Sequence, residues 1–326
     1  MVRLQTVGLS SVYRRDLRRG WDWILERARN SRVSLHALDD PRKVDRLLGK
    51  WVQEAFDDGE RLHNVVMAIV AAQRRLHMSG SLLRGTWAAI KGWRMSLPSR
   101  PRVPITKLAL EAVILGGFCL GMNQSGHLRR RWWAMSLISW LAFECLLRPS
   151  EAINLLVGDI VFPSLELAGP DPNLVVVIRN PKTRRIWRTQ FAICSDIFLI
   201  DWLKWWCRDL DSKCRVFPIS RAQWSSLLKA CCGWLDVDNI GYTPSSFRSG
   251  GATHVFRTEQ NLGRLQYRGR WKSAATLESY LQEAMSAHAT HVVSDRGRER
   301  VAVVRQAVHR LKSPPEVAAI RLFRGL

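Results

Sequence analysis

The stretch Phe247–Leu281, FRSGGATHVFRTEQNLGRLQYRGRWKSAATLESYL, holds an arginine (Arg248), a tryptophan 23 residues later (Trp271) and a tyrosine 9 residues beyond that (Tyr280). About a hundred residues upstream, LLRPSEAINLL (146–156) places Arg148 and Glu151 one helical turn apart. Between the two lies VVVIRNPKTRRIWRTQF (175–191), which reads as a hairpin with Lys182 at its turn. The residues around these three segments set the expected fold: mainly α, with a small β-sheet (α+β).

The residue types share one chemistry. A phosphodiester is anionic, and its pentavalent transition state gathers charge on the non-bridging oxygens. Guanidiniums such as Arg148 and Arg248 offer permanently charged, bidentate donors to those oxygens. The Trp271 indole N–H is a donor only. A tyrosine such as Tyr280 attacks as a covalent nucleophile and stores the bond energy, so rejoining needs no ATP. Lys182 supplies a general acid for the departing oxygen. Glu151 orients Arg148 rather than reacting.

Composition agrees with an anionic partner. The 326 residues carry 50 Lys+Arg against 28 Asp+Glu, a formal net charge of +22 and a pI of about 10.8. Such an excess points to nucleic acid through counterion release. Hydrophobic residues make up 47%, which excludes a wholly disordered chain. Seven cysteines without a CxxC pair fit a reducing compartment. The eight histidines show no metal-ligand spacing, so neither a metal nor a cofactor is expected. The first 21 residues contain no apolar segment of the secretory kind. The apolar runs Leu108–Met122 and Trp132–Leu147 fall short of the roughly 20 residues of a membrane span and read as buried helices.

The chain organises accordingly. Residues 1–97 read as a helical domain, with Asp40 and Pro41 opening one helix and arginines around the apolar positions. LPSRPRVPI, residues 97–105, forbids a continuous helix and marks a linker at 98–105. Residues 106–285 form the second domain. Its strands are expected over Asp159–Leu167, Leu174–Arg179 and Ile186–Cys194. Helices follow over Asp196–Asp209 and Arg221–Leu235, with a turn at Arg268–Arg270. Residues 286–326 form a weakly amphipathic tail that packs on its own domain or on a partner. Most of the 15 tryptophans, Trp132, Trp133, Trp140, Trp202, Trp205 and Trp206 among them, fall in apolar segments and read as core.

In order and spacing these residues resemble the tyrosine recombinase, or phage-integrase, family over roughly residues 10–285. The first arginine of that family and its acidic partner look like Arg148 and Glu151, the hairpin lysine like Lys182, and the second arginine like Arg248. Its His/Trp position looks like Trp271 and its nucleophile like Tyr280, within the final box GRWKSAATLESYL. The resemblance implies a helical DNA core-binding domain followed by a catalytic domain. It also implies site-specific cutting and rejoining of double-stranded DNA through a 3′-phosphotyrosyl intermediate, by four protomers on two duplexes. Integration, excision or transposition is the expected outcome. The site of action would be intracellular, in the nucleus or nucleoid, away from membranes.

One position departs. The family usually carries histidine three residues before the second arginine, where this chain has Ser245. A hydroxyl can still hydrogen-bond, but it carries no proton near neutral pH as imidazole does. His254, six residues after Arg248, falls on another side of a helix and is not expected to substitute. Two other functions stay open: a type IB topoisomerase-like nicking-closing enzyme, and a DNA-binding protein that has kept the fold and lost turnover.

Overall fold

Leu17, Trp21, Ile24, Leu25 and Ala28 recur at helical spacing, and they put one apolar stripe on α1 (Ser11–Asn30). The computed structural model describes Leu9 and residues 11–34, 40–97, 103–163, 173–179, 181, 189–281 and 283–314. These fall into two units, Met1–Arg100 and Pro101–Leu326.

In the first unit α1 packs with α2 (Pro41–Asp57), α3 (Leu62–Arg75) and α4 (Arg84–Ser96) around Ile24, Val44, Leu48, Trp51, Ile69 and Ile90. Asp40 caps α2 by accepting the Arg42 N–H at 3.0 Å, with Pro41 in the first turn. Asp45, from the second turn of α2, takes the Gly85 and Thr86 N–H groups at 2.9 and 2.8 Å. The start of α4 is thus capped by a neighbouring helix rather than by its own residue. Arg14, Arg15, Arg18, Arg74, Arg75, Arg84, Lys91 and Arg94 are exposed. Arg14, Arg18, Arg74 and Arg75 line one open groove beside α1 and α3.

The second unit is built on α5 (Lys107–Met122) and α6 (Gly126–Glu144); most of α5 and the stretch Trp133–Phe143 of α6 are buried nearly all round and therefore central. A stack of aromatics joins them to α8 (Ile197–Cys207). Phe118 lies on Trp202 at 4.4 Å, and Trp133 packs against Trp205 at 5.6 Å. After α6 come α7 (Pro149–Ile153) and, among the described residues, three antiparallel strands, β1 (Ile160–Val161), β2 (Leu174–Ile178) and β3 (Gln190–Cys194), in that spatial order. Val176 pairs with Ala192 and Val175 with Ile193. Leu174, Val176 and Ile178 face the core, while Phe191 and Ile193 face outward, the period of two that a half-buried sheet requires. The chain is thus mainly α with a small sheet.

The strands are shorter than the sequence suggests. Asp159 lies in a 3-10 turn rather than a strand, because its carboxylate accepts the Leu156 N–H at 3.0 Å and pairs with Arg179. Residues 164–167 and 186–188 of the expected strands lie outside the described residues.

Beyond α8 the unit continues through α9 (Arg221–Trp234), α10 (Pro244–Glu259), α11 (Leu262–Arg268) and α12 (Ala274–Glu278). The last α-helices among the described residues are α13 (Glu283–His291) and α14 (Asp295–Arg305). Val304, Ala307 and Leu311 enter the same core as α5 and α6. Arg305 pairs with Glu111 of α5 at 3.2 Å, and the Trp202 indole donates to the Leu311 carbonyl at 2.9 Å. This part of the chain packs on its own unit, one of the two possibilities its amphipathic pattern left open. No described helix is long and apolar enough to cross a membrane.

Candidate active site

The site forms where α6 ends. An α-helix leaves its last carbonyls without intrahelical partners, and its C-terminal end attracts cations. Here the chain leaves the helix through Leu146 in the left-handed region (φ 50°), and arginines take up the carbonyls. Arg268 Nη2 donates to Glu144 O at 3.2 Å. Arg270 donates to Cys145 O and Leu146 O at 3.3 and 3.0 Å, and Arg248 Nη1 also donates to Leu146 O.

Two residues later α7 starts, with Arg148 as its N-cap and Pro149 in its first turn. Glu151, three residues on, accepts the Arg148 backbone N–H at 2.9 Å through Oε2 and Arg148 Nη1 at 2.5 Å through Oε1. Local chain geometry therefore gives this pair its register. A second cation arrives from 119 residues away, as Arg270 Nη2 donates to Glu151 Oε2 at 3.1 Å. Arg248 Nη1 stands 4.0 Å from the same oxygen. Burial alone would raise the Glu151 carboxyl; Arg270, Arg148 and the Arg148 N–H outweigh it and hold the group below its ordinary range.

Arg248 lies inside α10, a helix rich in small residues. Glycines there permit close approach: a Cβ at Gly251 would stand 2.2 Å from the Phe143 carbonyl of α6. The Arg248 side chain is buried, donates to Gly269 O at 2.5 Å, and lies with its guanidinium carbon 4.4 Å from the centre of the Trp271 ring. Burial first, then Arg148 and Arg270, push its pKa down to about 9, so it stays cationic at neutral pH.

Trp271 follows a turn in which Gly269 ends α11 and Arg270 takes φ 58°. The indole packs so closely on Gly269 that a Cβ there would stand 1.5 Å from the ring. Tyr280, just past α12, meets the Trp271 ring edge-on at 5.2 Å. Its ring centre is 5.6 Å from the Arg248 guanidinium. Thr253 of α10 donates to the Tyr280 carbonyl at 3.4 Å.

The structure thus gathers Arg148, Glu151, Arg248, Trp271 and Tyr280 into one unit. Ser245 is half-buried in the first turn of α10, one helical turn before Arg248. Lys182, the expected general acid, lies outside the described residues. His254 packs on Phe143, ring centres 5.8 Å apart, where burial and Lys107 lower its pKa. Arg270 was not among the site residues expected from the sequence. It sat in an expected turn, and the one local signal was a cation between the motif residues Gly269 and Trp271.

Four buried side-chain N–H donors lack an acceptor among the described residues: Trp133 Nε1, Arg248 Nε, Arg270 Nε and Trp271 Nε1. Three of the four belong to this site. A buried donor left unmet costs about 1–3 kcal/mol, and this site concentrates three of them. Among the described residues no group of three or more His, Cys, Asp or Glu side chains is placed to hold a metal ion.

No family model and no curated protein matches the chain. Several solved structures are similar to it. A Tn1549 transposon integrase in complex with transposon right end DNA is 14% identical, over 91% of this chain and 96% of its own, with a TM-score of 0.49. The XerH site-specific recombinase bound to difH substrate is 13% identical over 77% and 78%, with a TM-score of 0.45. The XerA recombinase is 15% identical over 86% and 99%, with a TM-score of 0.38. Each likeness is one of fold alone.

Proposed function

We propose that this chain cuts and rejoins double-stranded DNA as a tyrosine recombinase, with Tyr280 as nucleophile. The observation that carries the proposal is the pair of unmet donors, Arg248 Nε and Trp271 Nε1, on side chains packed against the Tyr280 ring.

In the proposed reaction the Tyr280 phenol gives up its proton to solvent as its oxygen attacks the scissile phosphorus and the 5′ oxygen leaves, giving a 3′-phosphotyrosine. Arg148 and Arg248 receive the charge that grows on the non-bridging oxygens, and the Trp271 N–H donates to the same group. Lys182 protonates the leaving oxygen. Glu151 fixes Arg148 through both its backbone and its guanidinium. Attack by a 5′ hydroxyl reverses the step, and exchange between duplexes calls for several protomers on two DNA sites. The net charge of +22 and the exposed arginines of the first unit suit binding along a phosphate backbone.

The test is covalent trapping on nicked duplexes that lose a short fragment once cut, drawn from a random-sequence pool, with Tyr280→Phe as the control. A protease-sensitive protein–DNA adduct that disappears in Tyr280→Phe is expected. Salt-dependent DNA binding without an adduct would instead mark a DNA-binding protein that has lost turnover. Relaxation of supercoiled plasmid by isolated protomers would mark a nicking-closing enzyme.

A further inference from the structure

Three cations cannot share one carboxylate equally, and the way Glu151 is shared carries a consequence. Its Oε1 receives Arg148 Nη1, and its Oε2 receives both the Arg148 N–H and Arg270 Nη2. Arg248 is left 4.0 Å away and donates to two neutral carbonyls, Leu146 O and Gly269 O. Arg270 also donates to Leu146 O at 3.0 Å and Cys145 O at 3.3 Å. One guanidinium thus ties the carboxylate of α7 to the carboxy end of α6.

We infer that Arg270 is a positioning residue that occupies Glu151 and so keeps the charge of Arg248 free for an anion. This rests on the function proposed above and adds to it a group that acts without touching the phosphate. Without Arg270, Glu151 Oε2 loses its distant partner and turns to the one neighbouring guanidinium that the carboxylate does not already bind, Arg248 at 4.0 Å. An Arg248 paired with a buried carboxylate no longer presents a net charge to a phosphodiester. The left-handed backbone of Arg270 (φ 58°) is one that glycine adopts freely. Arg270→Gly therefore removes the side chain with little backbone strain.

Two variants separate this role from a merely structural one. Arg270→Gly is expected to slow formation of the Tyr280 adduct by about 100-fold, the scale of a misplaced catalytic group, with DNA affinity little changed. Adding Glu151→Gln should restore much of the rate, because a neutral amide still accepts from Arg148 but cannot neutralise Arg248. A double variant no faster than Arg270→Gly would overturn the inference, and so would an undiminished rate in Arg270→Gly.

A second readout does not depend on cleavage. The Nε–Hε resonance of Arg248, assigned by its loss in Arg248→Lys, is followed by NMR while inorganic phosphate is added. The expected pattern is a shift in wild type, none in Arg270→Gly, and its return in the double variant. A wild type that ignores phosphate, or an Arg270→Gly protein that responds like wild type, overturns the inference whether or not any adduct forms. An absent adduct together with the expected NMR pattern would sink the proposed reaction and leave the role of Arg270 standing.

Discussion

The first unit gathers three carboxylates around one arginine, and the second gathers three arginines around one carboxylate. Arg27 meets Glu54, Asp58 and Glu60 at 3.3, 2.9 and 2.6 Å. Glu151 meets Arg148 and Arg270 at 2.5 and 3.1 Å, with Arg248 at 4.0 Å. The first cluster is left with an excess of negative charge, the second with an excess of positive charge. They differ in who carries that excess. The carboxylates around Arg27 are 27–59% exposed, so water solvates them. Arg248, Arg270 and Glu151 are 2%, 6% and 3% exposed, so their surplus charge is held by carbonyls and by an incomplete set of acceptors. One cluster is explained by stability. The other is arranged at a cost to stability, and the proposed reaction gives that arrangement a use in binding an anion.

The sharpest way to break the comparison is to remove the single carboxylate. Glu151→Ala leaves two buried guanidiniums, Arg248 and Arg270, and the half-buried Arg148 without a counter-ion and should lower the unfolding free energy by about 3–5 kcal/mol, measured by urea denaturation. A loss within that of an ordinary surface mutation would mean the cluster is not buried as described. The same residue sets an acid limb. Its folded pKa lies below the ordinary 4.5, so the stability it contributes is present above about pH 4.5 and is lost as pH falls toward the folded value. Glu151→Gln should flatten that part of the stability–pH curve, read from urea midpoints between pH 6 and 3.

Gly269→Ala tests the packing that aims Trp271. Its Cβ would fall 1.5 Å from the indole ring, and overpacking of this kind costs about 1–3 kcal/mol. Adduct formation should fall as well, because the ring must leave Arg248. An unchanged melting temperature and rate would show that the ring has no fixed place there.

The smallest effect belongs to the first unit. Arg27→Ala should cost about 1–2 kcal/mol, the range between an exposed pair and a buried one. The loss should shrink in 1 M salt, where screening relieves the three remaining carboxylates. Adduct formation per folded molecule should not change. A cleavage defect in Arg27→Ala would erase the distinction between the two clusters.

Local signals made most of the elements readable. Asp40, Ser220, Ser273 and Ser294 cap helices with their own side chains, and the alternation in LVVVI gives a strand with one buried face. Arg148 and Glu151 were legible because a turn of helix joins them. Arg248 near Trp271 and Tyr280 was legible only as a spacing. Its burial goes with close backbone packing of Gly250 on Ile105 and of Gly251 on Phe143, which leaves no periodic trace. Arg270 was illegible in its role, since a cation in a turn reads as solvated and its carboxylate partner lies 119 residues away. Val304 and Leu311 looked weakly amphipathic because only one narrow side of that segment meets α5 and α8.

The most direct test of the central claim is to identify the amino acid joined to DNA. Wild-type protein is trapped on nicked duplex, digested with nuclease and trypsin, and its peptides are weighed and fragmented. A nucleotide remnant is predicted on Tyr280, within the tryptic peptide that runs from Ser273 to Arg296. A remnant on any other side chain, or an adduct that persists in Tyr280→Phe, would contradict the account.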